Sequence, residues 1–297
     1  MRVGSSSVRL LASPHVAHTS EVTPRSITEI AFADLMALEP HGPDTFLAEA
    51  ARYPWGTRLF GGQVVAQALR AGIATVDRGR HVHSLHSYFI RPGSHSEPVR
   101  FEVERLRDGR SFCTRQVVAR QSSGAILNLS ASFQVDEDQP DVHVTRGPVP
   151  APDDPALTDQ SWGALLQRRS IQLDDGRLGF WIRLDAELGD DPVVHACGLA
   201  FMSDSAPAWP ARSIHPNFDG DMRNRDQFQL ASLDHAVWFH RPTVASDWHW
   251  FETRPHGLAG GRGVVSADVF GRDGDHVATI AQQVLVRHRP PVDAARS

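Results

Sequence analysis

The sequence is short of several things, and each shortage removes a class of protein. Only Cys113 and Cys197 are present, far apart and in different halves of the chain, so neither a disulfide framework nor a paired-cysteine metal site is expected. A reduced, cytoplasmic setting follows. No apolar run approaches the roughly 20 residues of a membrane-crossing helix, so no membrane span is expected. An excess of one charge is missing too: 30 basic against 35 acidic side chains leave a formal net charge of −5, which offers nucleic acid no general attraction. There is no G-x-S-x-G, no P-loop, no H-E-x-x-H and no G-x-G-x-x-G after a strand. The 16 histidines are scattered without a ligand pair. No metal and no cofactor are expected.

What is present is a chain of 297 residues, 41% hydrophobic, long enough for two cores of ordinary size. Residues 1–26 are rich in Ser, His and small side chains, and Leu10-Leu11-Ala12 is too short for the apolar core of a signal peptide; they read as a disordered tail. Within 60–74, Val65, Ala68, Leu69 and Gly72 recur at spacings of three and four, as on a buried helix face. Strand-like segments follow at 82–90, 99–105 and 113–135, with turns at Asp108-Gly109 and Ser122-Ser123-Gly124. One helix followed by antiparallel strands is an α+β pattern. Residues 137–160, crowded with Asp and Pro, read as a linker between an N-terminal domain at 27–136 and a C-terminal one at 161–290. In the second, Asp191-Pro192 opens a helix with a capping side chain and a proline at its first position, and strands are expected near 179–184, 232–240, 248–253, 263–270 and 277–287. Gly257 to Gly263 reads as a flexible hairpin loop.

The second half repeats the first. Segment 119–135 lies over 270–286 without a gap at an offset of 151, and Arg91-Pro92 lies over Arg241-Pro242 at an offset of 150. Two stretches agreeing within one residue point to duplication.

Among polar residues in apolar surroundings, Asp204 ends the second helix, where it faces either solvent or a cleft at the sheet edge. Of the adjacent Gln282 and Gln283, one must point to the buried face, because strand side chains alternate; a buried amide needs partners and implies a polar pocket. Asp234-His235 offers a competing acid and base. Neighbouring strand residues face opposite ways, so this pair reads as structural.

The combination Phe60-Gly61-Gly62-Gln63, His86-Ser87-Tyr88-Phe89-Ile90-Arg91-Pro92-Gly93, Leu106-Arg107-Asp108-Gly109-Arg110-Ser111-Phe112, Ser232-Leu233-Asp234-His235-Ala236-Val237-Trp238-Phe239-His240 and Asp273-Gly274 before Val277-Ala278 resembles the acyl-CoA thioesterase II family over residues 27–287. The resemblance implies a double hot-dog, two long helices each wrapped by an antiparallel β-sheet, and hydrolysis of fatty acyl-CoA thioesters. It also implies a carboxylate, a hydroxyl and an amide holding the attacking water, at Asp204, Ser232 and Gln282, with backbone amides of a helix N-terminus for the oxyanion. An acyl-CoA substrate and a homo-oligomer, a dimer or tetramer of double hot-dogs, go with it. Residues 206–225 and 253–261 depart from the family's pattern, which bears on substrate range. Two other functions are weighed. A hot-dog acyl-CoA hydratase would carry a Gly-Asp-x-Asn-Pro-x-His signature, which is missing. A non-catalytic acyl-CoA binding protein would not need Asp204, Ser232 and Gln282 together. At the offsets above, Ala131 and Val82 stand opposite Gln282 and Ser232, and matching Val64-Val65 to Val193-Val194 puts Thr75 opposite Asp204. One active half is expected.

Overall fold

The computed structural model describes residues 24–289 apart from 144, 164, 206, 222, 223 and 225. Most of the expected tail lies outside these residues. Arg25 and Ser26 are docked: Arg25 pairs with Glu49 and Asp34, and Ser26 bridges Arg52.

A short helix α1 (Phe32–Leu35) and the strands β1 (Glu39–Pro40) and β2 (Thr45–Ala48) lead into α2 (Gly61–Ile73). Ten of the thirteen residues of α2 are buried, so it is a core helix enclosed on nearly every side rather than an amphipathic surface one. Strands β3 (Arg80–Phe89), β4 (Val99–Asp108), β5 (Phe112–Gln121) and β6 (Gly124–Val135) wrap it. The second half contributes β7 (Thr158–Asp159), β8 (Leu166–Gln172), β9 (Leu178–Leu184), α3 (Pro192–Ser203), α4 (Ala208–Ser213), β10 (Phe228–Ser232), β11 (Asp234–Phe239), β12 (His249–Ala259), β13 (Arg262–Phe270) and β14 (His276–His288). Asp191 caps α3, its carboxylate accepting from the Val193 N–H at 2.9 Å, and Pro192 takes the first helical position.

All named strands belong to one antiparallel sheet in the order β1-β2-β4-β5-β6-β3-β11-β14-β13-β12-β9-β8-β7, with β10 also on β14. The order mirrors itself about the β3–β11 junction. There Ala236 pairs with His86, flanked by Asp234 with Tyr88 and Trp238 with Ser84. His86 and Ala236 are one repeat apart, so a pseudo-two-fold axis passes between them. The fold is the double hot-dog the resemblance implies, and one apolar cluster, including Val65, Leu69, Phe101, Leu199, Phe201 and Val269, runs through both halves.

The register corrects the gapless repeat. β3 has a bulge between Val82 and Ser84, matched 150 residues on by the break at Leu233 between β10 and β11. The shift between Ala119 and Arg120 in the β5–β6 ladder is matched by one between Val269 and Phe270 in the β13–β14 ladder. The offset is therefore still 150 at the end of β13. It becomes 151 only in the following turn, which is one residue longer than Ser122-Ser123. Other differences are local. Residues 257–263 are mostly paired strand, with only Gly260-Gly261, both at positive φ, making the turn. The polar-looking β8 and the proline-flanked α4 were not expected from pattern.

Candidate active site

The first turn of α2 packs against the last turn of α3. Glycine makes this possible: a Cβ on Gly62 would stand 2.4 Å from the Phe201 carbonyl oxygen, and one on Gly61 2.4 Å from Asp204 Oδ2 and 2.8 Å from the Phe89 ring. Asp204, the residue that ends α3, thus lies against the opening turn of the other half's helix, whose first N–H groups have no partner within the helix.

From Asp204 a continuous chain of hydrogen bonds runs into the sheet. Ser232, the last residue of β10, donates to Asp204 Oδ1 at 3.0 Å. Gln282 in β14 donates from Nε2 to Ser232 Oγ at 2.7 Å. Its Oε1 lies 2.6 Å from His235 Nδ1, and His235 Nε2 lies 2.7 Å from Ser203 Oγ. The alternation of β14 turns Gln282 inward, 1% exposed, and leaves Gln283 half-buried. The three residues named from the sequence come together. Asp234 does not join them: it faces the other way and accepts from the Gln283 N–H at 2.7 Å, bridging the β10–β11 break. His235, read from the sequence as structural, enters the site, because Asp234 and His235 do point to opposite faces. The motif residue Gln63 is structural, donating to the Glu49 carbonyl and accepting from the Tyr53 hydroxyl.

Burial raises the Asp204 carboxyl to about 6, against the opposing help of Ser232, Gln282 and the Gly62 N–H. A carboxyl of that kind is ionised at neutral pH and basic enough to take a proton. Burial pushes His235 down to about 4, so its ring is neutral.

The sequence reading missed Gly61, Gly62, Phe89 and Ser203. Two glycines opening a buried helix are a readable sign, since they weaken a helix and earn their place where backbone must come close.

The matching place in the N-terminal half is built differently. Ala131 stands for Gln282, Val82 for Ser232, and the end of α2 offers Ala74 and Thr75 in place of Asp204. Arg115 stands for Val265. It is 1% exposed, and its guanidinium bonds Thr75 Oγ1 at 2.8 Å, the Thr75 carbonyl at 3.0 Å and Asp108 at 2.6 Å.

The fold is a double hot-dog, and its second half brings a buried carboxylate, a hydroxyl and an amide together. A family model for the acyl-CoA thioesterase N-terminal domain matches residues 50–134, and one for the C-terminal domain matches residues 137–286. The chain is 32% identical to acyl-coenzyme A thioesterase 8 of Mus musculus, over 91% of this chain and 93% of that one. It is also 32% identical to acyl-CoA thioesterase 2 of Haemophilus influenzae, over 77% and 88%. Among solved structures, the acyl-CoA thioesterase II TesB2 of Mycobacterium marinum superposes with a TM-score of 0.75 at 31% identity, covering 88% of this chain and 99% of that one. A hot-dog protein from Alicyclobacillus acidocaldarius shares the fold, with a TM-score of 0.71 at 21% identity over 87% and 98%. The chain belongs to the acyl-CoA thioesterase family, and it is a hydrolase of acyl-CoA thioesters.

Proposed function

We propose that hydrolysis is carried out by a single water held at Asp204, Ser232 and Gln282, with no covalent enzyme intermediate. The observation that supports this is the hydrogen-bond chain from Asp204 through Ser232 to Gln282, ending against the first turn of α2. Asp204 takes a proton from the water as its oxygen bonds to the thioester carbon. The carbonyl oxygen gains the negative charge, which the positive end of the α2 dipole favours. When the tetrahedral species collapses, the C–S bond breaks, the fatty acid leaves, and the proton held by Asp204 passes to the CoA thiolate. A thioester is electrophilic enough to need no stronger nucleophile, so Ser232 serves as a bridge that orients the carboxylate.

Release of free thiol from palmitoyl-CoA tests this. Asp204→Asn is expected to lower kcat by about 10²- to 10⁴-fold, the scale of a lost general base, while Ser232→Thr keeps most activity. In ¹⁸O water, single turnover should put the label in the fatty acid and none in the protein; label in the protein, or normal kcat for Asp204→Asn, overturns the reading. Water addition to a crotonyl-type substrate is the corresponding assay for a hydratase. The opposed directions of Asp234 and His235 count against that alternative.

The same reading divides the chain into hot-dog domains at 27–136 and 161–290, joined by 137–160, with the active site formed by the second and closed by the first turn of α2. We take the working form to be a homo-oligomer of double hot-dogs in the cytoplasm. Two buried free cysteines support a reducing compartment, and among the described residues no helix is long and apolar enough to cross a membrane. Sedimentation equilibrium tests the oligomer.

A further inference from the structure

We propose that His235 is a positioning residue that sets which way round the Gln282 amide stands, and so which group Ser232 and the attacking water meet. A glutamine amide is nearly the same shape either way up, and only its neighbours decide where the NH₂ goes. Ser232 uses its one proton on Asp204 at 3.0 Å, so the amide end 2.7 Å from Ser232 Oγ has to be the donor. That leaves Oε1 toward the imidazole at 2.6 Å, an arrangement that holds only if His235 carries its proton on Nδ1. Ser203 Oγ lies 2.7 Å from Nε2 and 2.8 Å from the Ala200 carbonyl, and in this arrangement its one proton turns from that carbonyl to the bare Nε2. With the proton on Nε2 instead, the amide would turn its NH₂ to the ring. Ser232 would then face two acceptors, Oε1 and the Asp204 carboxylate, with one proton between them. The ring is 1% exposed, and β11 holds it from one side while the last turn of α3 holds it from the other. Burial keeps it neutral, with its pKa pushed down to about 4, so it has one proton to place.

This rests on the water-holding role given to Gln282 above, and the experiment separates the two. kcat and KM on palmitoyl-CoA are measured for His235→Leu, His235→Asn, Gln282→Ala and the double variant His235→Leu/Gln282→Ala, each with a thermal melt. His235→Leu should lower kcat by roughly 10- to 100-fold, the scale of loss for a misplaced catalytic group, with KM little changed. His235→Asn should recover most of it, since its NH₂ takes the place of Nδ1–H. The double variant should be no slower than Gln282→Ala alone. In ¹⁵N spectra of histidine-labelled wild type at neutral pH, the signal missing from His235→Asn should be that of a neutral ring protonated at Nδ1. Normal kcat for His235→Leu, a double variant slowed by the product of the single effects, or an Nε2-protonated ring overturns the proposal. If His235→Leu does not fold, His235→Asn and the wild-type spectrum still decide it. Normal kcat for Gln282→Ala would instead sink the water-holding role.

Discussion

Asp204 carries a conflict that its surroundings only partly resolve. Its charge is disfavoured by burial and by the carbonyl end of α3, and favoured by the amide end of α2. The result is a carboxyl raised to about 6, and kcat should climb with pH along one ascending limb centred near there. A pH–rate profile that stays flat from about pH 5 to 8 would remove Asp204 as the base. The same shift governs stability. The folded-state value lies above the unfolded one, so ionisation costs the folded protein at neutral pH, and the cost vanishes as pH falls below about 4. Asp204→Asn should therefore melt higher than wild type at pH 7.5, by roughly 1–3 kcal/mol, with the difference closing in acid. His235 acts with the opposite sign, its lowered pKa removing stability as pH falls from its usual range toward 4, which is why the comparison has to be a difference between variants. Gly61→Ala strains no backbone, yet its methyl would collide with Asp204 Oδ2. It should cost roughly 10²-fold in kcat, with a far smaller change in melting temperature. At this scale strand alternation required one of Gln282 and Gln283 to be buried, and the place of Asp204 after an apolar helix left solvent or a cleft open; the choice of Asp204, Ser232 and Gln282 came with the family resemblance. Gly61 went unread although it opens a buried helix beside a second glycine, because its contribution is the absence of an atom.

Elements were legible in proportion to their regularity. The helix from Pro192 could be read because Asp191 and Pro192 mark its start, and the structure has the cap in place. Asp191→Ala should lower stability by about 1 kcal/mol and leave kcat unchanged, as denaturant melts beside thiol-release assays would show. β8 escaped notice because its outward positions, Gln167 and Arg169 among them, are polar and its inward ones include the buried Arg168 and Ser170; alternation was present, but not as apolar against polar. α4 escaped because Pro207 and Pro210 read as breakers, whereas both fall within its opening turn, where no intrahelical N–H is called for. The ungapped comparison slipped by one residue at the end of β13 because the longer turn that follows it leaves no mark where no gap is allowed.

On the scale of the molecule, the two halves divide labour through a shared sheet. The mechanism proposed above draws on Asp204, Ser232 and Gln282 from one half and the opening of α2 from the other, so in that mechanism neither half holds a complete site. In the counterpart place, Arg115 ties the residue Thr75 just past α2 to Asp108 at the end of β4. Arg115→Met should cost about 2–4 kcal/mol by stranding the buried Thr75 hydroxyl and carbonyl, while kcat at a temperature where the variant is folded stays normal. A fall in kcat matching that of Asp204→Asn would mean that the two halves are not separate in role.

The facing pair at the centre of the sheet, His86 against Ala236, has a consequence for heredity. In a dimer of identical units one codon writes both sides of such an axis, so the residue meets itself, and an arginine beside one helix end is an arginine beside both. Joining the copies in a single gene removes that constraint. Selection can fill position 115 with a buried cation and keep position 265 apolar beside the working glutamine, or place an imidazole against a methyl group on the axis itself. No homodimer of the same fold can inherit either arrangement.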